Sequence, residues 1–184
     1  MKALLSSFLL YLLCVTSLTA NGFAAAKFKV IYNFKGAPDG AGIYGQLVFD
    51  AKGTIYGATA GGGTGNCNGG CGTVFELVRG PANSWSEIQL YSLNPTSDGA
   101  GPWGGMVFDP AGNLYGTTAK GGPQFFGTVF QLKGDWTYRV LHRFNWTDGA
   151  LPSSLVFDPE HKHIYGTTIL GGAVGYGVVF EITP

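Results

Sequence analysis

Apolar positions along this chain fall into short runs, not helical stripes. From residue 27 onward no helix-length window carries apolar side chains at a 3.6-residue period. Short segments rich in Val, Phe, Tyr and Thr alternate with clusters of Gly, Pro, Asn and Asp, the pattern of strands and turns. Three passages repeat that pattern in register. The first combines Leu47-Val48-Phe49-Asp50, Ile55-Tyr56-Gly57-Ala58-Thr59 and Gly72-Thr73-Val74-Phe75-Glu76-Leu77. The second combines Met106–Asp109, Leu114–Thr118 and Gly127–Leu132, and the third Leu155–Asp158, Ile164–Thr168 and Gly177–Ile182. An Asp-Gly-Ala precedes each, at Asp39, Asp98 and Asp148, and a Gly-Gly pair separates the second and third segments of every unit. Tyr56, Tyr115 and Tyr165 set periods of 59 and then 50 residues.

The Leu-Val-Phe runs are apolar at consecutive positions, as expected of strands covered on both faces. Asp109-Pro110-Ala111-Gly112-Asn113 reads as a hairpin turn, with Pro presetting φ and Gly in the left-handed position. A further strand is predicted at Phe28–Phe34, Trp85–Leu93 and Trp136–Phe144. Four strands per unit of roughly 50 residues is the arithmetic of β-propeller blades. Because Lys133-Gly134-Asp135 is so short a link, Gly127–Leu132 should form a hairpin with Trp136–Phe144. Each blade then consists of three motif strands and the strand that follows them. The third blade lacks its fourth strand, and Phe28–Phe34 resembles the missing one. It is predicted to pair with Gly177–Ile182 as a clasp, within one chain or exchanged between two chains in a six-blade ring.

The pattern Val-Phe-Asp-Pro-x-Gly-Asn-Leu-Tyr-Gly-Thr-Thr, followed by Gly-Gly and Gly-Thr-Val-Phe-x-Leu, resembles the GloVer tandem repeat of secreted bacterial proteins. The third unit departs from it at Glu160-His161-Lys162-His163. The resemblance implies a secreted or surface repeat protein and supplies no catalytic residues. The expected fold is all-β, with three tandem four-stranded, propeller-like blades in a partial or tight ring that dimerisation could complete. The units span about 28–84, 85–135 and 136–184 within a domain of residues 27–184.

Residues 1–26 read as a secretory signal: Met1-Lys2, an apolar run to Leu13, small residues and an Ala24-Ala25-Ala26 cleavage site. A retained membrane anchor is the alternative; no later stretch is apolar enough to span a bilayer as a helix. Removal of Cys14 leaves Cys67 and Cys71, which an oxidising compartment would bridge across Asn68-Gly69-Gly70. Hydrophobic residues at 45% and aromatics at 14% exclude a disordered chain. Charged residues are only 12%, eleven of each sign, so no basic field exists for nucleic acid or an anionic membrane.

Asp50, Asp109 and Asp158 precede turns, where a short carboxylate bonds backbone N–H groups. Asp39, Asp98 and Asp148 are read as turn caps or, if they share one end of a propeller, as carboxylates lining its mouth. Neither set concentrates ligands as a calcium loop does. The units differ at Thr64–Cys71, at Pro123–Phe126 and at Ala173–Tyr176, and variable loops on a constant scaffold are where specificity resides. Tyr44, Trp103 and Leu151 follow the Asp-Gly-Ala motifs in comparable places. The candidate ligand contacts are Trp103, Phe125 and Tyr176, with Asp39, Asp98 and Asp148. His142, His161 and His163 are the only imidazoles, no Gly-x-Ser-x-Gly elbow occurs, and no catalytic residue, metal site or cofactor is assigned. The expected function is a secreted binding or structural module for an extracellular glycan or protein. A propeller enzyme acting on an extracellular polysaccharide is the alternative.

Overall fold

The three Tyr-Gly segments become the central strands of three antiparallel sheets. The computed structural model describes residues 26–122 and 124–184. Apart from Ala26, the expected signal lies outside the described residues. In chain order the first strands are β1 (Gly40–Ala41), β2 (Val48–Phe49), β3 (Ile55–Thr59), β4 (Gly61–Gly62), β5 (Thr73–Arg79) and β6 (Trp85–Ser92). They are followed by β7 (Ala100–Pro102), β8 (Val107–Phe108), β9 (Leu114–Lys120), β10 (Thr128–Leu132) and β11 (Tyr138–Arg143). The last are β12 (Ala150–Phe157), β13 (Ile164–Leu170) and β14 (Val179–Ile182). Among the described residues the only helical segment is one 3-10 turn at Pro81–Asn83, so none is long and apolar enough to cross a membrane.

Sheet order follows the repeat. The first blade runs β2-β3-β5-β6 and the third β12-β13-β14. In the second, β11-β10-β9 continues to β7 and β8, which pair with opposite ends of β9. Each full blade is therefore three motif strands plus the strand after them. The Asp-Gly-Ala segments add pairing that the sequence did not reveal. Ala100 and Pro102 pair with Lys120 and Thr118, and β12 merges the equivalent piece with the motif strand through a bulge between Pro152 and Leu155.

The clasp expected from Phe28–Phe34 does not form within the chain. That segment joins no ladder, and β14 pairs with β13 alone. The first blade itself captures residues 31–34. Phe34 packs edge-on against Phe75 with centroids 4.8 Å apart, and Tyr32 Oη donates to Asp39 at 3.2 Å. These contacts partly bury Ile31, Tyr32 and Phe34 against Ile55, Phe75 and Leu77.

A recurring cross-strand contact shapes each sheet. Gly57 faces Phe75, Gly116 faces Phe130 and Gly166 faces Phe180 in the ladders. A Cβ on these glycines would lie 2.4, 2.5 and 2.3 Å from the ring of the facing phenylalanine. Any larger residue would displace that ring. The ring in turn covers the backbone that the glycine leaves bare. Two residues on, Thr59 and Thr118 are fully buried and share hydrogen bonds of 2.8 and 2.9 Å with Thr73 and Thr128. The third blade has Val178 in place of the second threonine, and the Val178 N–H donates to Thr168 Oγ1 at 3.0 Å.

The turn at which the third unit departs from the repeat keeps its cap. Asp158 Oδ1 accepts from the Lys162 and His163 amides at 2.7 and 3.1 Å. Its closing bond runs from the Asp158 N–H to His163 O, one residue further than from Asp109 to Asn113. His161, at φ +55°, takes a left-handed position that Gly112 supplies in the second unit.

Gly116→Ala is expected to lower the unfolding free energy by about 1–3 kcal/mol through overpacking against Phe130. Gly134→Ala, where an added Cβ meets nothing within 4 Å, should change it by less than about 0.5 kcal/mol. Urea unfolding of the two variants checks the pair.

Candidate functional site

The segments leading from each Asp-Gly-Ala motif into its blade meet backbone to backbone. A Cβ on Gly45 would lie 2.3 Å from the carbonyl oxygen of Gly104, and one on Gly104 would lie 1.5 Å from that of Ser153. Only glycine at Gly45 and Gly104 permits this approach. Thr117 Oγ1 reinforces it by donating to Ser153 O at 2.8 Å. The approach carries the preceding side chains together. Tyr44 and Trp103 stack at 4.9 Å with planes 7° apart, and both remain about half exposed.

This stacked pair stands at a cavity of about 510 Å³ to which all three blades contribute. Tyr44, Trp103 and Leu151, the three residues after the Asp-Gly-Ala motifs, line it together with Lys120, Ile169 and the Cys67–Cys71 bridge. The lining is largely apolar, with Lys120 as its one charged residue. It suits a ligand with flat apolar faces and a polar edge.

The expected disulfide is present, with S–S 2.06 Å. Its loop does two things at the cavity. Gly70 packs so closely on Gly62 that a Cβ would fall 1.9 Å from the Gly62 oxygen. Cys71 O accepts from the Gly101 N–H of the second blade at 2.8 Å, as Phe126 O accepts from the Leu151 N–H of the third at 3.0 Å. The bridged loop thus forms one wall and ties the first blade to the second.

The remaining candidates lie elsewhere. Phe125 and Tyr176 are exposed on loops of the second and third blades and do not line the cavity. Asp39, Asp98 and Asp148 each bond their own turn. Asp39 Oδ2 accepts from the Lys35 amide at 3.0 Å and Asp98 Oδ2 from the Asn94 amide at 3.0 Å, while Asp148 Oδ1 accepts from the Asn145 amide at 2.9 Å. Each also meets a ring from the preceding strand or segment: Tyr32, Tyr91 at 2.9 Å, and His142 at 3.1 Å. Burial, then the hydrogen bond and charge of Asp98, push Tyr91 up to about 12. Sequence reasoning singled out Tyr44 and Leu151 only as neighbours in pattern. Their convergence depends on the contacts at Gly45 and Gly104, which no local signal reports. No group of three or more His, Cys, Asp or Glu side chains suited to a metal ion occurs among the described residues.

A second, more open depression of about 460 Å³ is lined by Val48-Phe49, Val107-Phe108 and Val156-Phe157.

Two partly buried carboxyls respond to their surroundings in opposite ways. Burial, then the charge of Asp39, raise the pKa of Glu87 above its ordinary value. Burial also opposes ionisation of Asp109, but hydrogen bonds from Asn113 and the Tyr115 hydroxyl outweigh it and hold the carboxyl low. A raised carboxyl costs stability once it must ionise, so its contribution is full below the unfolded value and lost as pH rises through the folded one. A depressed carboxyl stabilises above its unfolded value, and that contribution is lost as pH falls through the folded one. Glu87→Gln should therefore raise the melting temperature at pH 7, and Asp109→Asn should lower it. The Glu87 difference should shrink as pH falls through its raised value and be gone by roughly 4.5, whereas the Asp109 difference should shrink only as pH falls below roughly 4. Melting curves from pH 3 to pH 7 read both signs.

Three sheets in serial contact around a shared cavity define a propeller-like repeat protein. The chain belongs to the Gloeobacter/Verrucomicrobia repeat family, whose model matches residues 68–184. A gluconolactonase from Xanthomonas campestris is similar in fold, at 15% identity and a TM-score of 0.50. That similarity covers 80% of this chain and 40% of the enzyme's, so the chain spans well under half of that structure. No curated protein matches the chain.

Proposed function

We propose that this chain is an exported, non-catalytic binding module and that its ligand is an extracellular glycan. The observation that carries the reading is the Tyr44–Trp103 stack at the rim of the three-blade cavity. Parallel, half-exposed rings beside an apolar floor present the flat surface on which the C–H face of a sugar packs, and Lys120 offers a donor to its hydroxyls or acids. The apolar run at residues 3–13 and the Cys67–Cys71 bridge support export to an oxidising compartment. A peptide with an aromatic or proline side chain would use the same surface.

The alternative, a polysaccharide-cleaving propeller, needs two carboxylates flanking one bond. Asp39, Asp98 and Asp148 are engaged in their own turns and do not line the cavity, which favours binding over cleavage. Likeness to a gluconolactonase at 15% identity is likeness of fold only.

A glycan array probed with the oxidised protein should give a restricted set of positives. Trp103→Ala should weaken binding to the best of them by about tenfold or more in calorimetry, the scale of an aromatic anchor. Phe125→Ala should leave it unchanged. Reducing sugar released from a bound polysaccharide would show that the module cleaves.

A further inference from the structure

The two ends of the three-blade array carry the surfaces that its internal boundaries bury. At the first boundary Tyr56, Ala58 and Val74 of blade one join a single core with Met106 and Phe130 of blade two, and Tyr56 meets Phe108 edge-on at 5.0 Å. At the second, Tyr115 and Val129 of blade two share a core with Leu155 and Ile164 of blade three, and Tyr115 meets Phe157 at 5.2 Å. The corresponding residues of blade three are Tyr165, Thr167 and Val179. Thr167 is exposed where Thr117 is buried, and Val179 is 78% exposed where Val74 and Val129 are fully buried.

Blade one shows the complementary face. Leu47 and Phe49 are 45% and 64% exposed, whereas their counterparts Met106 and Leu155 are buried, and Phe108 and Phe157 are partly covered. The outer part of this face is already closed. Phe34 lies on Phe75 as Phe144 lies on Phe180 at the second boundary, with ring centroids 4.8 and 5.2 Å apart. What stays open is the inner strip that residues of the Tyr165 and Val179 type cover inside the chain.

We infer that a second copy of this chain fills that strip. Tyr165, Thr167 and Val179 of each copy pack on Leu47 and Phe49 of the other, around a twofold axis. Because the two end faces differ and fit each other, a twofold pair forms both boundaries at once and closes six blades into one ring. Backbone pairing continues in the same register. The Cys71 and Phe126 carbonyls accept from Gly101 and Leu151 of the next blade, and the equivalent pair across the new boundary is the Tyr176 carbonyl with the Gly42 amide. Tyr176, 88% exposed in the single chain, thereby becomes a boundary residue. The pairing is independent of whether the cavity takes a glycan.

Sedimentation equilibrium of the oxidised protein at roughly 100 µM chain should return twice the single-chain mass. Val179→Arg and Phe49→Arg should each return the single-chain mass with an unchanged circular dichroism spectrum, since both side chains are exposed in the single chain. Ile88→Arg, on the outer strand of blade one and away from both end faces, should stay dimeric. A wild-type single chain at that concentration overturns the inference, as does a dimer indifferent to both end-face variants. A ladder of larger species growing with concentration overturns ring closure. Should either variant fail to fold, hydrogen exchange of the 179–182 amides in wild-type protein decides. Protection that rises with concentration supports the pairing, and exchange independent of concentration refutes it.

Discussion

A phenylalanine ring lying on a cross-strand glycine organises every blade. The sheet would otherwise carry a flexible Gly at its most central position, where Gly weakens a strand. Phe75, Phe130 and Phe180 remove that weakness by covering Gly57, Gly116 and Gly166. The ring needs the missing Cβ and the bare backbone needs the ring, so neither residue is replaceable alone. The contact also fixes register. A one-residue slip would place Phe against Tyr, or against Ala58 or Thr117, and turn the neighbouring threonines away from each other.

Register in the blade determines what happens between blades. With Gly facing Phe, the flanking Tyr56 and Tyr115 project to the other side of the sheet and meet Phe108 and Phe157 of the next blade. The motif therefore encodes a boundary as well as a sheet, and each blade carries both halves of it. Stability in such an array is distributed over blades and neighbouring interfaces, as in other repeat proteins. The terminal blades then differ from the middle one only in what remains unmatched.

The carboxylates serve this architecture. Asp50, Asp109 and Asp158 close the hairpins between the first two motif strands, and Asp39, Asp98 and Asp148 close the turns that deliver the chain to each new blade. In a chain with so few charges, each of these groups is spent on backbone donors that the turns would otherwise leave without partners. The Asp109–Tyr115–Gln131 chain of hydrogen bonds, at 3.0 and 2.7 Å, carries the same economy into the second blade.

The sequence by itself determined the elements: β-type segments, turn residues at fixed offsets, the composition of each blade and the short-range cysteine bridge. All of these are local, set by alternation, by Gly and Pro positions and by loop length. It also exposed the repeat, from which the family follows. Tertiary structure alone decided the rest. Phe28–Phe34 looked like a strand by composition, yet Tyr32 and Phe34 found better burial on the face of blade one than in a ladder. The Asp-Gly-Ala segments carry no β signature and still pair, because Gly99 lets the backbone press against Thr118. Tyr44 and Trp103 are 59 residues apart, and nothing near either one in sequence announces a partner. They stack because Gly45 and Gly104 let two backbones touch, a contact between blades that exists only once the blades have formed.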